Sequence, residues 1–134
     1  MKLLLCIPTY NEAENLTTLV ADVLQVVPEA HILVIDDNSP DGTGQIADQL
    51  GQTYPGKVFC LHRPGKSGLG TAYISGFRWA MEHGYEAVGQ MDADFSHPVD
   101  KIPLLIAALG DHPIAIGSRY VPGGSLDDRW PFWR

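Results

Sequence analysis

The chain has 134 residues, 45% hydrophobic and 19% charged, with a formal net charge of −7. That length bounds one domain with a proper core, and the composition is that of a soluble globular protein rather than a fibrous or disordered one. No basic face offers itself to nucleic acid, and no run of about 18 apolar residues reads as a membrane span.

In chain order, "LLLCIP" (3–8) resembles the core of a signal peptide. It is too short, however, and Pro8 and acidic residues follow at once, so it reads as a first buried strand. Residues 12–26 predict a helix, with Leu16, Leu19, Val20, Val23 and Leu24 on one face. "HILVID" (31–36), "VFCLHR" (58–63), "AVGQMD" (87–92) and "IAIGSR" (114–119) are further short apolar runs with polar ends, as buried strands are. Helices are expected between them at 43–50, 70–83 and 99–109, the last entered through Pro98 and crossed by Pro103 near its first turn. Alternating strands and helices with short connections imply an α/β fold, its strands mainly parallel and joined by right-handed crossovers. The domain is expected to span 1–134 without repeat or linker. Cys6 and Cys60 lie in strand-like runs without CxxC spacing, which suits buried, reduced thiols in a cytosolic protein.

Ligands of open α/β sheets bind at the carboxyl ends of the strands. Those ends carry "PTYNE", "DDNSPDGT", "RPGKSGLG", "DADFSHP" and "SRY", so Asp36, Asp37, Asp92 and Asp94 converge on one edge. Residues 1–54 hold eight acids against the single base Lys2, while residues 55–134 hold eight of each. An acidic half fits a site that holds a divalent cation.

"RPGKSGLG" imitates two phosphate-binding motifs and satisfies neither. A P-loop needs its first glycine at position 60, which is Cys60 inside the third strand, and a dinucleotide fingerprint needs glycine or alanine where Tyr73 stands. Gly68 and Gly70 still permit a sharp turn into a helix whose free N–H groups face the ligand edge; a plain strand-to-helix turn explains them equally. "MDADFSHP" is sharper. Asp92 and Asp94 fall on one side if strand geometry persists, and two hard oxygen donors suit Mg²⁺ or Mn²⁺ with diphosphate oxygens and water. His97 offers a third ligand, although a histidine before proline in a loop is more often only polar. The same residues also spell an aspartyl-nucleophile phosphatase, with Asp92 attacking and Asp94 as acid/base, although that motif belongs on a first strand. In "VIDDNSPDGT", Ser39 to Gly42 read as a turn into a helix N-cap. The paired acids are costly at a buried strand end unless a ligand donates to them, as a base or ribose hydroxyl does.

Together, "IPTYNEAENL", "VIDDNSPDGTG", "GKSGLGTAYISGF", "MDADFSHPVDKIP" and "IGSRYVPGG" resemble the inverting glycosyltransferases of the GT-A fold, and within them the polyprenol (dolichyl) phosphate mannose synthases. The resemblance covers nearly the entire chain in the right order. It implies mannose transfer from GDP-mannose to a membrane polyprenyl phosphate, with a divalent metal, at the cytoplasmic face of a membrane. It also implies that Pro8, Tyr10 and Glu12 line the guanosine pocket and that Ile35 and Asp37 contact base and ribose. Asp92, Ala93 and Asp94 hold the diphosphate through a metal ligated by Asp92 and Asp94, and Lys66 approaches the nucleotide. Arg119 and Arg134 face the sugar phosphate and acceptor phosphate, which with Asp94 makes them the expected catalytic groups. Some members have Gln where this chain has Ser96. The family's domain runs past "WPFWR", so the chain is expected to be its N-terminal, nucleotide-binding portion, with Trp130, Phe132 and Trp133 in an interfacial segment. A related donor such as UDP-glucose, and a nucleotide-binding fragment without turnover, are the remaining alternatives.

Overall fold

A computed structural model describes residues 1–118, 120 and 122–124. Met1–Val99 and Asp100–Arg134 are two compact units. In the first, strands β1 (Leu3–Thr9), β2 (His31–Asp36), β3 (Val58–His62) and β4 (Ala87–Gln90) alternate with helices α1 (Leu16–Val26), α2 (Thr43–Thr53) and α3 (Leu69–Glu82). The four strands form one sheet in the order β3-β2-β1-β4, and every pairing is parallel.

Right-handed crossovers then fix the face each helix covers. The steps β1 to β2 to β3 run one way across the sheet and put α1 and α2 on one face; the step back from β3 to β4 puts α3 on the other. Side chains alternate accordingly. Leu4, Cys6, Leu33 and Ile35 meet Ala72 and Ala80 of α3 in one buried cluster. Leu16, Leu19, Val20 and Val23 of α1 are buried, as the helical spacing predicts, while Leu24 is only half-buried. Helix α1 begins at Leu16 rather than at residue 12, because the Glu12 carbonyl accepts from the Asn15 and Leu16 amides in a preceding turn.

Two glycines let layers approach closely. An alanine Cβ at Gly76 would stand 2.7 Å from Ile35 Cδ1 and 2.8 Å from Cys6 Sγ; one at Gly89 would stand 2.5 Å from Leu5 Cδ2. Pro8 in a central strand looks anomalous, since it has no N–H for a ladder. β4 resolves this by ending opposite Cys6, where Gln90 is its last paired residue. Beyond that point β1 pairs only with β2, through Pro8↔Ile35 and Thr9↔Asp36.

A 3₁₀ turn at Val99–Lys101 leads into helix α4 (Ile102–Ala108) of the second unit. Pro103 sits in the first turn of α4, where a missing N–H costs no helical bond. The expected fifth strand is not formed among the described residues: 114–118 are irregular, and Ile114 and Ile116 are exposed. An alternating apolar run is only half of a strand. The other half is a neighbouring edge, and no described strand pairs with this one.

Candidate functional site

With all four strands parallel, their carboxyl ends share one edge, and β1 and β4 flank the point where the crossovers change direction. Such switch points are where open α/β sheets bind ligands. The loop after β1 is stitched to the loop after β2 by three amides. The Asn11, Glu12 and Ala13 N–H groups donate to Ser39 Oγ (3.0 Å), Thr43 Oγ1 (3.0 Å) and Asp41 Oδ2 (3.1 Å). Asp41 also accepts from the Thr43 amide and hydroxyl, and the Thr43 hydroxyl bond first of all holds its carboxyl below the usual range. The α2 N-cap is therefore not a conventional one. Gly42 takes the position at φ 92°, and Asp41 supplies the capping oxygen from one residue earlier.

Asp36 and Asp37 part company at the end of β2. Asp36 is buried and internally satisfied, accepting from Thr9 Oγ1 (2.7 Å), Ser39 Oγ (2.6 Å) and the Ser39 amide (3.1 Å). It is structural, and no ligand is needed to offset its burial. Asp37 is the poised one. Burial pushes its carboxyl up, against an opposing pull from Arg63, whose Nε lies 3.2 Å from Oδ1. Asp37 Oδ1 and Arg63 Nη1 are buried with no hydrogen-bond partner among the described residues. Lys66 of the same loop stands over the Tyr10 ring, Nζ 4.7 Å from its centroid. "RPGKSGLG" thus reaches the strand-end site through two cations and the Ser67 amide, and not through its glycines.

β4 stops at Gln90, so strand geometry does not carry through Asp92 and Asp94; residues 93–95 form a bend, with Phe95 at φ 62°. Asn11 (φ 57°) and Asn38 (φ 55°) are the other positive-φ non-glycine residues among those described, and all three lie just past strand ends at this edge. Asparagine tolerates that conformation; a bulky aromatic does so only under strain, which concentrates at functional sites. Asp92 Oδ1 accepts from Tyr73 Oη at 3.2 Å. Asp94 is exposed and accepts from the Ser96 amide at 3.0 Å; the Ser96 side chain, with that amide, holds its carboxyl below the usual range. The Asp92 amide donates to His97 Nδ1 at 3.0 Å, so the ring carries its proton on Nε2, 3.9 Å from Asp92 Oδ2. His97 as placed braces the turn and has no lone pair directed at a metal. The two carboxylates are hard oxygen donors with most of their acceptor capacity unused, which suits Mg²⁺ or Mn²⁺.

Of the remaining expected residues, Pro8 is half-buried at the open side of β1, Tyr10 is exposed, Glu12 accepts from Asn15 Nδ2 (3.2 Å), and Ala93 is buried. Ile35 departs from expectation. Its side chain lies wholly in the core beneath Gly76, so it can meet a ligand only through its main chain. Arg119 and Arg134 lie outside the described residues, as do Trp130, Phe132 and Trp133. Sequence reasoning missed Arg63, Tyr73 and Thr43. Arg63 alone left a trace, as a base ending the strand beside the paired acids.

The sequence model of the family described as "Glycosyl transferase family 2" matches residues 4–134. The chain is 49% identical over 132 residues to the polyprenol monophosphomannose synthase of Mycolicibacterium smegmatis, covering 98% of this chain and 49% of that protein. It is 43% identical over 137 residues to the dolichol-phosphate mannosyltransferase of Pyrococcus furiosus, covering 100% of this chain and 37% of that one. The chain thus spans about half the length, or less, of these curated relatives. Among solved structures it resembles the mannosyltransferase PcManGT of Pyrobaculum calidifontis, determined with GDP-Man and Mn²⁺. The TM-score is 0.70 at 22% identity over 84% of this chain and 33% of that one, a likeness of fold that bears out the expected GT-A-type α/β architecture. No helix among the described residues is long and apolar enough to cross a membrane.

Proposed function

The chain belongs to glycosyl transferase family 2, and from that membership we propose that its strand-end site binds the nucleotide diphosphate of GDP-mannose. The protein it represents then transfers mannose, with inversion, to a polyprenyl phosphate. Residues 1–134 form the nucleotide-binding portion of that GT-A domain, which works peripherally at the cytoplasmic face of a membrane. The observation that carries this reading is the 49% identity to a polyprenol monophosphomannose synthase, sustained over 98% of the chain. Family membership also sets aside the aspartyl-phosphatase alternative.

The residues divide the work by chemistry. Pro8, Tyr10, Glu12 and Asp37, with the Ile35 main chain, line the nucleoside, and Lys66 adds positive charge above Tyr10. Asp92 and Asp94, with Ala93 between them, hold Mg²⁺ or Mn²⁺ against the diphosphate. When bound, that ion stabilises charge on the departing oxygens. Tyr73 and the Ser96 amide fix the two carboxylates, so little reorganisation is left for the moment of binding. The acceptor phosphate is already ionised, so no strong general base is required; Arg119 and Arg134, the groups expected to serve the sugar phosphate and the acceptor, lie outside the described residues.

Calorimetry with GDP, UDP and GMP, each with and without Mn²⁺, tests the donor. Mn²⁺-dependent binding of GDP in preference to UDP and GMP is the expected result. A preference for UDP would move the donor to another sugar nucleotide, and no nucleotide binding by the full-length protein would end the reading.

A further inference from the structure

On the α2 face of the edge strand β3, Cys60 and His62 follow the period of two and point the same way, with Asp48 of α2 opposite them. One ligand atom from each of Asp48, Cys60 and His62 lies within 4.8 Å of the others, and this is the one such trio of His, Cys, Asp or Glu among the described residues. His62 Nε2 and Asp48 Oδ1 are 2.9 Å apart, with both side chains more than half exposed. Gly44 permits this pose: an alanine Cβ there would stand 3.2 Å from His62 Cε1 and 3.3 Å from Nδ1. With that side of the ring against α2, Nε2 is turned outward to Asp48. Two of the three donors ride on a strand held in register by β2, through Cys60↔Val34 and Asp36↔His62. The third rides on the helix packed over that strand.

We propose that Asp48, Cys60 and His62 form a binding site for a thiophilic divalent cation of the Zn²⁺ class, separate from the Asp92/Asp94 site and its hard-metal chemistry. One thiolate, one imidazole nitrogen and one carboxylate oxygen are a tetrahedral donor set that leaves the fourth position for water. Zinc bonds of about 2.0–2.3 Å put tetrahedral donor atoms roughly 3.3–3.6 Å apart. His62 and Asp48 must therefore open by a few tenths of an ångström and the sulfur close by no more than about 1.2 Å. The Cys60 thiol gives up its proton to solvent as the metal–sulfur bond forms, so one H⁺ is released per cation bound.

Titrating the purified protein with Co²⁺, then displacing it with Zn²⁺, tests the site. Oxygen ligation at Asp92 and Asp94 gives no sulfur-to-cobalt charge-transfer band, so the band reports thiolate ligation, and Cys60→Ser separates Cys60 from the fully buried Cys6. The expected result is a saturable, single-equivalent band in the wild type that Zn²⁺ abolishes. It is absent in Cys60→Ser, and the affinity falls roughly tenfold or more in both His62→Gln and Asp48→Asn. The latter two change half-exposed groups, so they keep the test open if Cys60→Ser folds poorly. No band in the wild type, a band that survives Cys60→Ser, or wild-type affinity in both His62→Gln and Asp48→Asn overturns the proposal.

Discussion

Arg63 Nε stands 3.2 Å from Asp37 Oδ1 with side chains 11% and 9% exposed, and the two pair as ions without aligning as a hydrogen bond. Burial outweighs the arginine, so the Asp37 carboxyl sits above its ordinary 3.8. Asp94 sits below the same value. The signs are opposite. Asp37 favours the folded state fully below about pH 3.8, and that contribution is lost as pH rises through its folded pKa. Asp94 favours the folded state above the ordinary carboxylate range, and its contribution is lost as pH falls through its folded pKa. Carboxyl-carbon NMR titration is expected to show Asp37 deprotonating after Asp94; the reverse order would refute this account. Arg63→Met should raise Asp37 further and destabilise the protein by on the order of 3 kcal/mol at neutral pH, and by less in acid, where Asp37 takes a proton.

Thr43 is fully buried and its Oγ1 is the acceptor for the Glu12 amide. Thr43→Val keeps the shape and leaves that N–H without its acceptor, at a cost of about 1–3 kcal/mol. Amide exchange at residues 11–13 should speed up while β1 stays protected. Uniform loss of protection across the sheet would mean that Thr43 acts through the core instead.

Asp94 is exposed, so Asp94→Ala should leave the thermal midpoint nearly unchanged, within roughly 0.5 kcal/mol of wild-type stability, while Mn²⁺-dependent GDP binding is lost. Tyr73→Phe removes only the hydroxyl that donates to Asp92. A positioning role predicts a weaker apparent Mn²⁺ affinity, by roughly 10-fold, with GDP binding restored at high Mn²⁺. If Tyr73→Phe binds Mn²⁺ and GDP like the wild type, the Tyr73–Asp92 bond has no bearing on the site.

Gly76 allows α3 to lie against Ile35 and Cys6. Gly76→Ala gains helix propensity but forces a Cβ to 2.7 Å from Ile35 Cδ1. Overpacking should win, for a net loss of about 1–3 kcal/mol in urea unfolding. A stabilised protein would show that α3 shifts outward without resistance.

Much of the fold was legible because its signals are local. The face of α1 follows from a hydrophobic period of 3.6, and the four strands of the sheet follow from short apolar runs bounded by polar residues; both depend on neighbours a few residues away. The candidate strand at 114–119 carried the same local signal and formed no strand among the described residues, because pairing requires an edge that no local pattern specifies. The site was legible in its acids and not in their supports. "DDNSPDGT" and "MDADFSHP" stand out as runs, whereas Arg63 and Tyr73 are single residues whose relevance is spatial.

The sequence by itself determined that strand ends bearing Asp36, Asp37, Asp92 and Asp94 would gather at one edge, since parallel strands leave their carboxyl ends no other arrangement. Tertiary structure decided what each acid does there. Thr9 and Ser39 quench Asp36, while Arg63 faces Asp37 across the register of β2 and β3. Adjacent carboxylates look equivalent along a chain. They separate only when the fold sets donors beside one and a buried, misaligned cation beside the other, because desolvation and hydrogen bonding act over a few ångströms of space and not along the sequence.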